Sequence, residues 1–199
     1  MRVLDSTFVI SASAPSGAPP GDLPEVAFLG RSNVGKSSMI NALLHRRKLA
    51  RVSNTPGRTR LLNFFVVRLE DAAKKVHAIS LCDLPGYGFA KGSREESSHW
   101  KAMIEGYLKH RETLKITVAL IDSRHGPTQA DQDLFAWMAE VGRPVITVAT
   151  KIDKIPKAQR KPQLQAIGNA LDSGVPIGFS SETDEGWDAV WDAIAIRLL

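Results

Sequence analysis

An apolar run, Val26–Leu29, passes without a linker into Gly30-Arg31-Ser32-Asn33-Val34-Gly35-Lys36-Ser37-Ser38, and a helical pattern follows over residues 37–45. Few features restrict a chain more. Glycines at both ends of a four-residue loop let the backbone curl until successive N–H groups face one side. A helix starting at once behind them adds the partial positive charge of its N-terminus. A strand, loop and helix in this order form a cradle for phosphate. Lys36 is placed to reach β- and γ-phosphates, and the Ser37 hydroxyl is placed to ligate Mg²⁺.

The rest of the chain supplies the sheet such a loop needs. β-rich apolar segments recur at Leu61–Leu69, His77–Cys82, Ile116–Ile121, Val145–Ala149 and Val175–Phe179. Between them, Trp100, Met103, Ile104, Tyr107 and Leu108 follow helical spacing. Leu134, Trp137, Met138 and Val141 do the same, as do Trp187, Val190, Trp191, Ile194 and Leu198, which assigns all four tryptophans to the core. Alternating strands and helices predict an α/β fold with a mainly parallel sheet covered on both faces. The segments 61–69 and 77–82 are too close for a crossover helix, so they are expected as an antiparallel hairpin at one edge. Before residue 25, Phe8-Val9-Ile10 reads as a short edge strand, and residues 11–24, rich in Ser, Ala, Gly and Pro, as a connector. The expected organisation is an N-terminal extension over 1–24 and a nucleotide-binding domain over 25–199.

Ligands in such sheets sit beyond the carboxyl ends of the strands. Three further motifs fall there. Asp83-Leu84-Pro85-Gly86 ends one strand, with a carboxylate to hold Mg²⁺ through water and a Gly86 N–H to sense a γ-phosphate. Thr150-Lys151-Ile152-Asp153 ends another. An Asp153 carboxylate accepts two N–H bonds from the Watson–Crick edge of guanine, a donor pair adenine lacks. The aliphatic stem of Lys151 can lie over the base. Ser180-Ser181-Glu182 follows a third, which ends at Phe179, with backbone N–H groups for the guanine O6. Ahead of segment 61–69, the loop Gly57-Arg58-Thr59-Arg60-Leu61 offers a threonine that can close over Mg²⁺. Thr59 is the candidate and Thr55 its alternative. Lys36, Thr59 and Gly86 are the candidates for direct action on the γ-phosphate; Ser37, Thr59 and Asp83 are those for the metal.

Charge adds a second ligand class. From Val26 to Leu69 there is no Asp or Glu, while nine Lys or Arg residues occur. A nucleotide needs one or two of them. Most of the remainder, the six in residues 45–60, together with the Lys/Arg-rich segment 151–161, suit an RNA backbone. A single cysteine, Cys82, forbids an internal disulfide and fits a reducing compartment. No apolar run has membrane-spanning length, and Asp5, Ser6 and Thr7 break the N-terminal stretch that an export signal would need. The five histidines show no zinc-ligand spacing.

In this order the motifs resemble the guanine-nucleotide signature of translation-factor-like GTPases. GRSNVGKSS, TPGRT followed by NFF, DLPGYG and TKID together resemble the EngB (YihA/YsxC) family of ribosome-biogenesis GTPases, over nearly the whole chain. Arg60 departs from that pattern, which usually has Gln there. The resemblance implies a Ras-like, six-stranded, mostly parallel sheet with one antiparallel edge strand, and Mg²⁺-dependent GTP or GDP binding. It also implies action on the large ribosomal subunit or its precursor, with a link to cell division. The cysteine usage and the missing export signal set the expectation of a cytoplasmic protein, and a monomer is the default. At the position where Ras-like enzymes carry a water-orienting Gln stands Tyr87, which predicts slow intrinsic hydrolysis. Asn33 occupies the place where some related GTPases hold K⁺. An ATPase sharing only the phosphate loop and a nucleotide-gated, RNA-binding scaffold without turnover are the competing readings.

Overall fold

Strand β2 (Glu25–Gly30) is buried at every position, as a central strand with both faces covered must be. The computed structural model describes residues 1–46, 49–50, 61–87 and 94–198, without the side chains of 94–101. Around β2 lie β1 (Arg2–Ala12), β3 (Leu62–Glu70), β4 (Val76–Asp83), β5 (Leu114–Asp122), β6 (Val145–Thr150) and β7 (Ile177–Gly178). They form one sheet in the order β1-β3-β4-β2-β5-β6-β7. The helices are α1 (Lys36–Leu43), α2 (Arg94–His110), α3 (Gln129–Val141), α4 (Lys157–Ala170) and α5 (Trp187–Leu198).

Two-residue alternation sorts the strands between two cores. Val26 and Phe28 point with Val118, Leu120 and Val148 into the layer closed by α1 and α5. Ala27 and Leu29 point with Ala119, Ile121 and Ala149 to the opposite layer, closed by α2, α3 and α4. Met103, Ile104, Tyr107 and Leu108 all face that second layer, as their helical spacing requires. Trp191 is fully buried, whereas Trp137 and Trp187 are partly exposed; the Trp100 side chain lies outside the described residues.

The sheet has seven strands among the described residues, one more than the Ras-like expectation. The additional one is β1, which runs for 11 residues where a three-residue strand at 8–10 was expected. It pairs antiparallel with β3 from Arg2↔Glu70 to Ala12↔Leu62, with two register shifts. The hairpin of β3 and β4 is present, closed by Asp71, whose Oδ1 accepts from the N–H groups of Ala73 and Lys75. However, β1 covers its outer side, so the antiparallel strand β3 stands one place in from the edge. β7 is shorter than the expected 175–179, because only Ile177 and Gly178 pair with β6 and Val175 is exposed. α1 stops at Leu43, two residues before the expected end, where the chain turns and His45 takes φ +48°.

The strand ends matter most for function. β2, β4, β5, β6 and β7 run parallel, so Gly30, Asp83, Asp122, Thr150 and Gly178 all end at one edge of the sheet. No described helix is long and apolar enough to cross a membrane.

Candidate functional site

At that edge the loop after β2 turns around Gly35, whose φ of +103° is open to glycine and strained for any residue with a Cβ. It caps α1, so the N–H groups at the start of that helix open toward the loop. Lys36 and Ser37 follow at once. Lys36 Nζ donates to Asp83 Oδ1 at the end of β4, and the two side chains are 8% and 2% exposed. Lysine and carboxylate, the groups expected to meet phosphate and metal, are thus brought together from segments 47 residues apart.

The loop after β4 folds back over the phosphate loop. Leu84 N–H donates to Phe28 O, continuing the parallel pairing of β2 and β4 by one step. Pro85 is buried and Gly86 partly so, and the pairing resumes at Tyr87: its N–H donates to Gly30 O at 3.3 Å, and Ser32 N–H donates to Tyr87 O at 3.0 Å. Gly86 packs closely against the phosphate loop, with backbone atoms of Ser32 and Gly30 as its neighbours. A Cβ on it would stand 3.0 Å from the Ser32 backbone nitrogen.

On the other flank, β6 delivers Thr150. Its buried Oγ lies 2.7 Å from Val34 O and 3.2 Å from Ile121 O, joining the phosphate loop to the ends of β5 and β6. Lys151 adopts φ +59°, an unusual conformation for a side-chain-bearing residue, which costs about 1–2 kcal/mol. Its ammonium offsets that cost by donating to Asn33 O at 2.7 Å and to Asp122 Oδ2 at 2.8 Å. The Lys151 stem therefore crosses from β6 to the phosphate loop and forms one wall of a cavity of about 190 Å³. Gly35, Ser38, Asp153, Phe179 and Ser181 are among the residues that line the rest of it.

Asp153 sits in the short turn Ile152–Lys154, and Lys154 Nζ lies 2.8 Å from its Oδ2. The hydrogen bond from Lys154 outweighs burial and, with help from the Ser180 hydroxyl, holds the Asp153 carboxyl below its ordinary value. It is thus an acceptor at neutral pH, as reading two N–H donors requires. Ile152 N–H donates to Phe179 O, and Ser180 Oγ accepts from the N–H groups of Glu182 and Thr183. These bonds fix the loop after β7 beside the turn.

Gly30, Arg31, Ser32, Asn33, Val34, Gly35, Lys36, Ser37, Ser38, Asp83, Leu84, Pro85 and Gly86 gather on one flank of the edge. Thr150, Lys151, Ile152, Asp153, Phe179, Ser180 and Ser181 gather on the other. Thr55, Gly57, Arg58, Thr59 and Arg60 lie outside the described residues; Leu61 is described and 38% exposed. One hydroxyl and one carboxylate, Ser37 and Asp83, suit a small oxygen-seeking cation that keeps several waters. No cluster of three or more His, Cys, Asp or Glu side chains able to hold a metal occurs among the described residues.

Asp122 was not singled out in the sequence. It ends β5 and is held by Lys151 and, through both oxygens, by Arg124. Burial works against its charge, but hydrogen bonds from Arg124 and Lys151 win and hold it well below the ordinary carboxylate range. The signal that could have found it is positional: like Asp83 and Thr150, it is the polar residue closing an apolar strand.

A family of GTPases described as 50S ribosome-binding matches residues 25–151. A protein named "Probable GTP-binding protein EngB" from Anaeromyxobacter sp. (strain Fw109-5) is 49% identical, over 98% of this chain and 92% of its own. The chain belongs to the EngB family of GTP-binding proteins. It is therefore a guanine-nucleotide-binding GTPase, and its fold class follows that of solved relatives. A crystal structure of an EngB protein superimposes with a TM-score of 0.66 at 22% identity, over 87% of this chain and 98% of that one. Era, solved with MgGDPNP and nucleotides 1506–1542 of 16S ribosomal RNA, gives 0.72 at 25% identity, over 88% of this chain and 57% of its own.

Proposed function

We propose that this EngB-family GTPase is a Mg²⁺-dependent switch acting in assembly of the large ribosomal subunit. The observation that carries the switch reading is the contact of Gly86 and Tyr87 with the phosphate loop, which makes the loop after β4 responsive to what the phosphate loop holds. In this reading Gly30 to Ser38 wrap the phosphates, Lys36 neutralises their charge, and Ser37, Asp83 and Thr59 hold the metal. Asp153 reads guanine, with Lys151 and Phe179 beside it and Ser180 and Ser181 at its O6. Mg²⁺, when bound, supplies charge neutralisation at the β- and γ-phosphate oxygens.

Slow intrinsic turnover follows from Tyr87. In place of a water-orienting amide it offers a hydroxyl engaged elsewhere, since Tyr87 Oη donates to Asp131 Oδ1 at 2.6 Å. K⁺ beside the exposed Asn33 is proposed as an aid, supplying positive charge near the transferring phosphoryl group. Equal turnover in potassium and sodium buffers would count against it.

The ribosomal partner is supported by charge and by kinship. Residues 26–69 carry nine basic and no acidic side chains, and Lys157 and Lys161 are exposed on α4. Not every basic residue of these segments is available to RNA. Arg46 is paired with Asp5, and Arg160 with Glu185. The link to cell division rests on family resemblance, the cytoplasmic location on the single cysteine and the missing export signal, and the monomer is the default. The test is sedimentation with isolated large ribosomal subunits. Comigration with a non-hydrolysable GTP analogue and not with GDP is expected, weakening steeply with salt. No comigration in either state sinks the ribosomal reading and leaves the GTPase intact.

A further inference from the structure

Tyr87 is 8% exposed, and its hydroxyl crosses from the loop after β4 to the N-terminus of α3. The residue it meets is itself buried: Asp131 is 1% exposed. Asp131 Oδ2 accepts from Thr128 N–H at 2.6 Å and Thr128 Oγ at 2.7 Å, completing a capping box at the start of α3. Asp131 Oδ1 receives the tyrosine. The carboxylate thus sits at the positive end of a helix, with both oxygens engaged, and holds α3 and the loop after β4 to one point.

The backbone of Tyr87 is held as well, by its two hydrogen bonds with Gly30 and Ser32. Residue 87 is pinned from two directions, by the phosphate loop through its main chain and by α3 through its hydroxyl. Its immediate neighbour is Gly86. Burial and then the Asp131 charge push the Tyr87 phenol above its ordinary range, so it remains a donor at neutral pH.

We propose that Tyr87 is a positioning residue for the γ-phosphate contact, in which the Tyr87–Asp131 hydrogen bond anchors the Gly86 N–H and couples the start of α3 to the nucleotide state. This rests on the reading of Gly86 as that contact. An anchored N–H meets the phosphoryl oxygen without first being ordered. Once the anchor is cut, the ordering is drawn from the binding of the triphosphate. A diphosphate makes no such contact and is indifferent. An ordinary core tyrosine, by contrast, affects both nucleotides alike through fold stability.

The experiment measures affinities for GDP and a non-hydrolysable GTP analogue in the full chain. Tyr87→Phe, which removes one oxygen, is expected to lower the preference for the analogue about 3–10-fold, the loss of one hydrogen bond, with GDP unchanged. Asp131→Asn should act in the same direction. The double variant should lose no more than the larger single one, because both cut the same bond. Thr128→Ala loosens the cap without touching Tyr87, so it should lower the melting temperature and spare the preference. Equal shifts for both nucleotides, or additive losses in the double variant, overturn the proposal. Gly86→Ala separates it from the underlying reading. If Gly86→Ala leaves the preference intact, the assignment of Gly86 fails; if it abolishes the preference while Tyr87→Phe does nothing, the positioning role alone fails.

Discussion

Two buried ion pairs mark opposite ends of the sheet, and they are built differently. At the carboxyl end, Lys36 meets Asp83 through one nitrogen and one oxygen. At the amino end, Glu25 opens β2 at 1% exposure and is surrounded. Arg111 reaches both its oxygens, at 3.1 and 3.0 Å, and Tyr107 Oη donates to it as well. Arg111 donates further to Pro19 O, so the connector before β2 and the end of α2 close on one carboxylate. The Glu25 cluster satisfies itself. The Lys36–Asp83 pair leaves donor and acceptor capacity for something else, an arrangement suited to a site that trades internal contacts for ligand contacts. A buried charge is therefore not evidence of function; the unused hydrogen-bonding capacity around it is.

The largest expected effect tests the self-satisfied end. Glu25→Ala leaves the Arg111 guanidinium without its partner and should cost about 3–5 kcal/mol in chemical denaturation. GDP affinity of the folded fraction should stay unchanged; a parallel loss of affinity would erase the distinction between the two ends. Next comes Lys36→Ala, expected to weaken GDP and GTP binding about 100-fold by removing a charge-assisted contact worth about 1.5–3 kcal/mol. It also strands Asp83. Lys36→Ala/Asp83→Asn should therefore regain stability without regaining affinity, and recovery of both by calorimetry would break the comparison.

The smallest effect is a pH dependence at Asp122. Its folded-state value is lowered, so the stability it contributes is complete above its unfolded value, about 3.9. That contribution is lost as pH falls from there toward the folded value. Asp122→Asn should flatten the acid limb of stability below about pH 4, with a change below about 1 kcal/mol at neutral pH because the site is partly hydrated. Melting curves between pH 3 and 7 measure it. An unchanged acid limb would mean that the carboxylate is not paired in solution.

What the sequence revealed follows from what burial leaves in a pattern. β2 to β6 were legible to within two residues because their side chains alternate between two cores or are buried throughout. β1 was read short because it buries little. Only Ser6 and Ala12 on it are buried, so its pairing with β3 rests on backbone hydrogen bonds that impose no hydrophobic period. The same reasoning covers the site. Gly30, Gly35, Lys36, Asp83 and Asp153 stand in short motifs whose spacing is set by a phosphate or a base. Tyr87 and Asp131 are 44 residues apart, and Thr150 and Val34 are 116 apart. Such pairs exist only once the sheet order brings their loops together, and no local spacing announces them.

The position of β1 also has a consequence for synthesis. It leaves the ribosome ahead of its partner β3, which begins 50 residues after β1 ends, at Leu62. At about 5–20 residues per second, that strand waits roughly 3–10 s for a neighbour. During that interval Phe8, Val9 and Ile10, about half-exposed even in the finished sheet, travel with an unpaired backbone. Substituting a charged residue there should raise soluble yield more than it changes equilibrium stability, because the hazard belongs to the nascent chain.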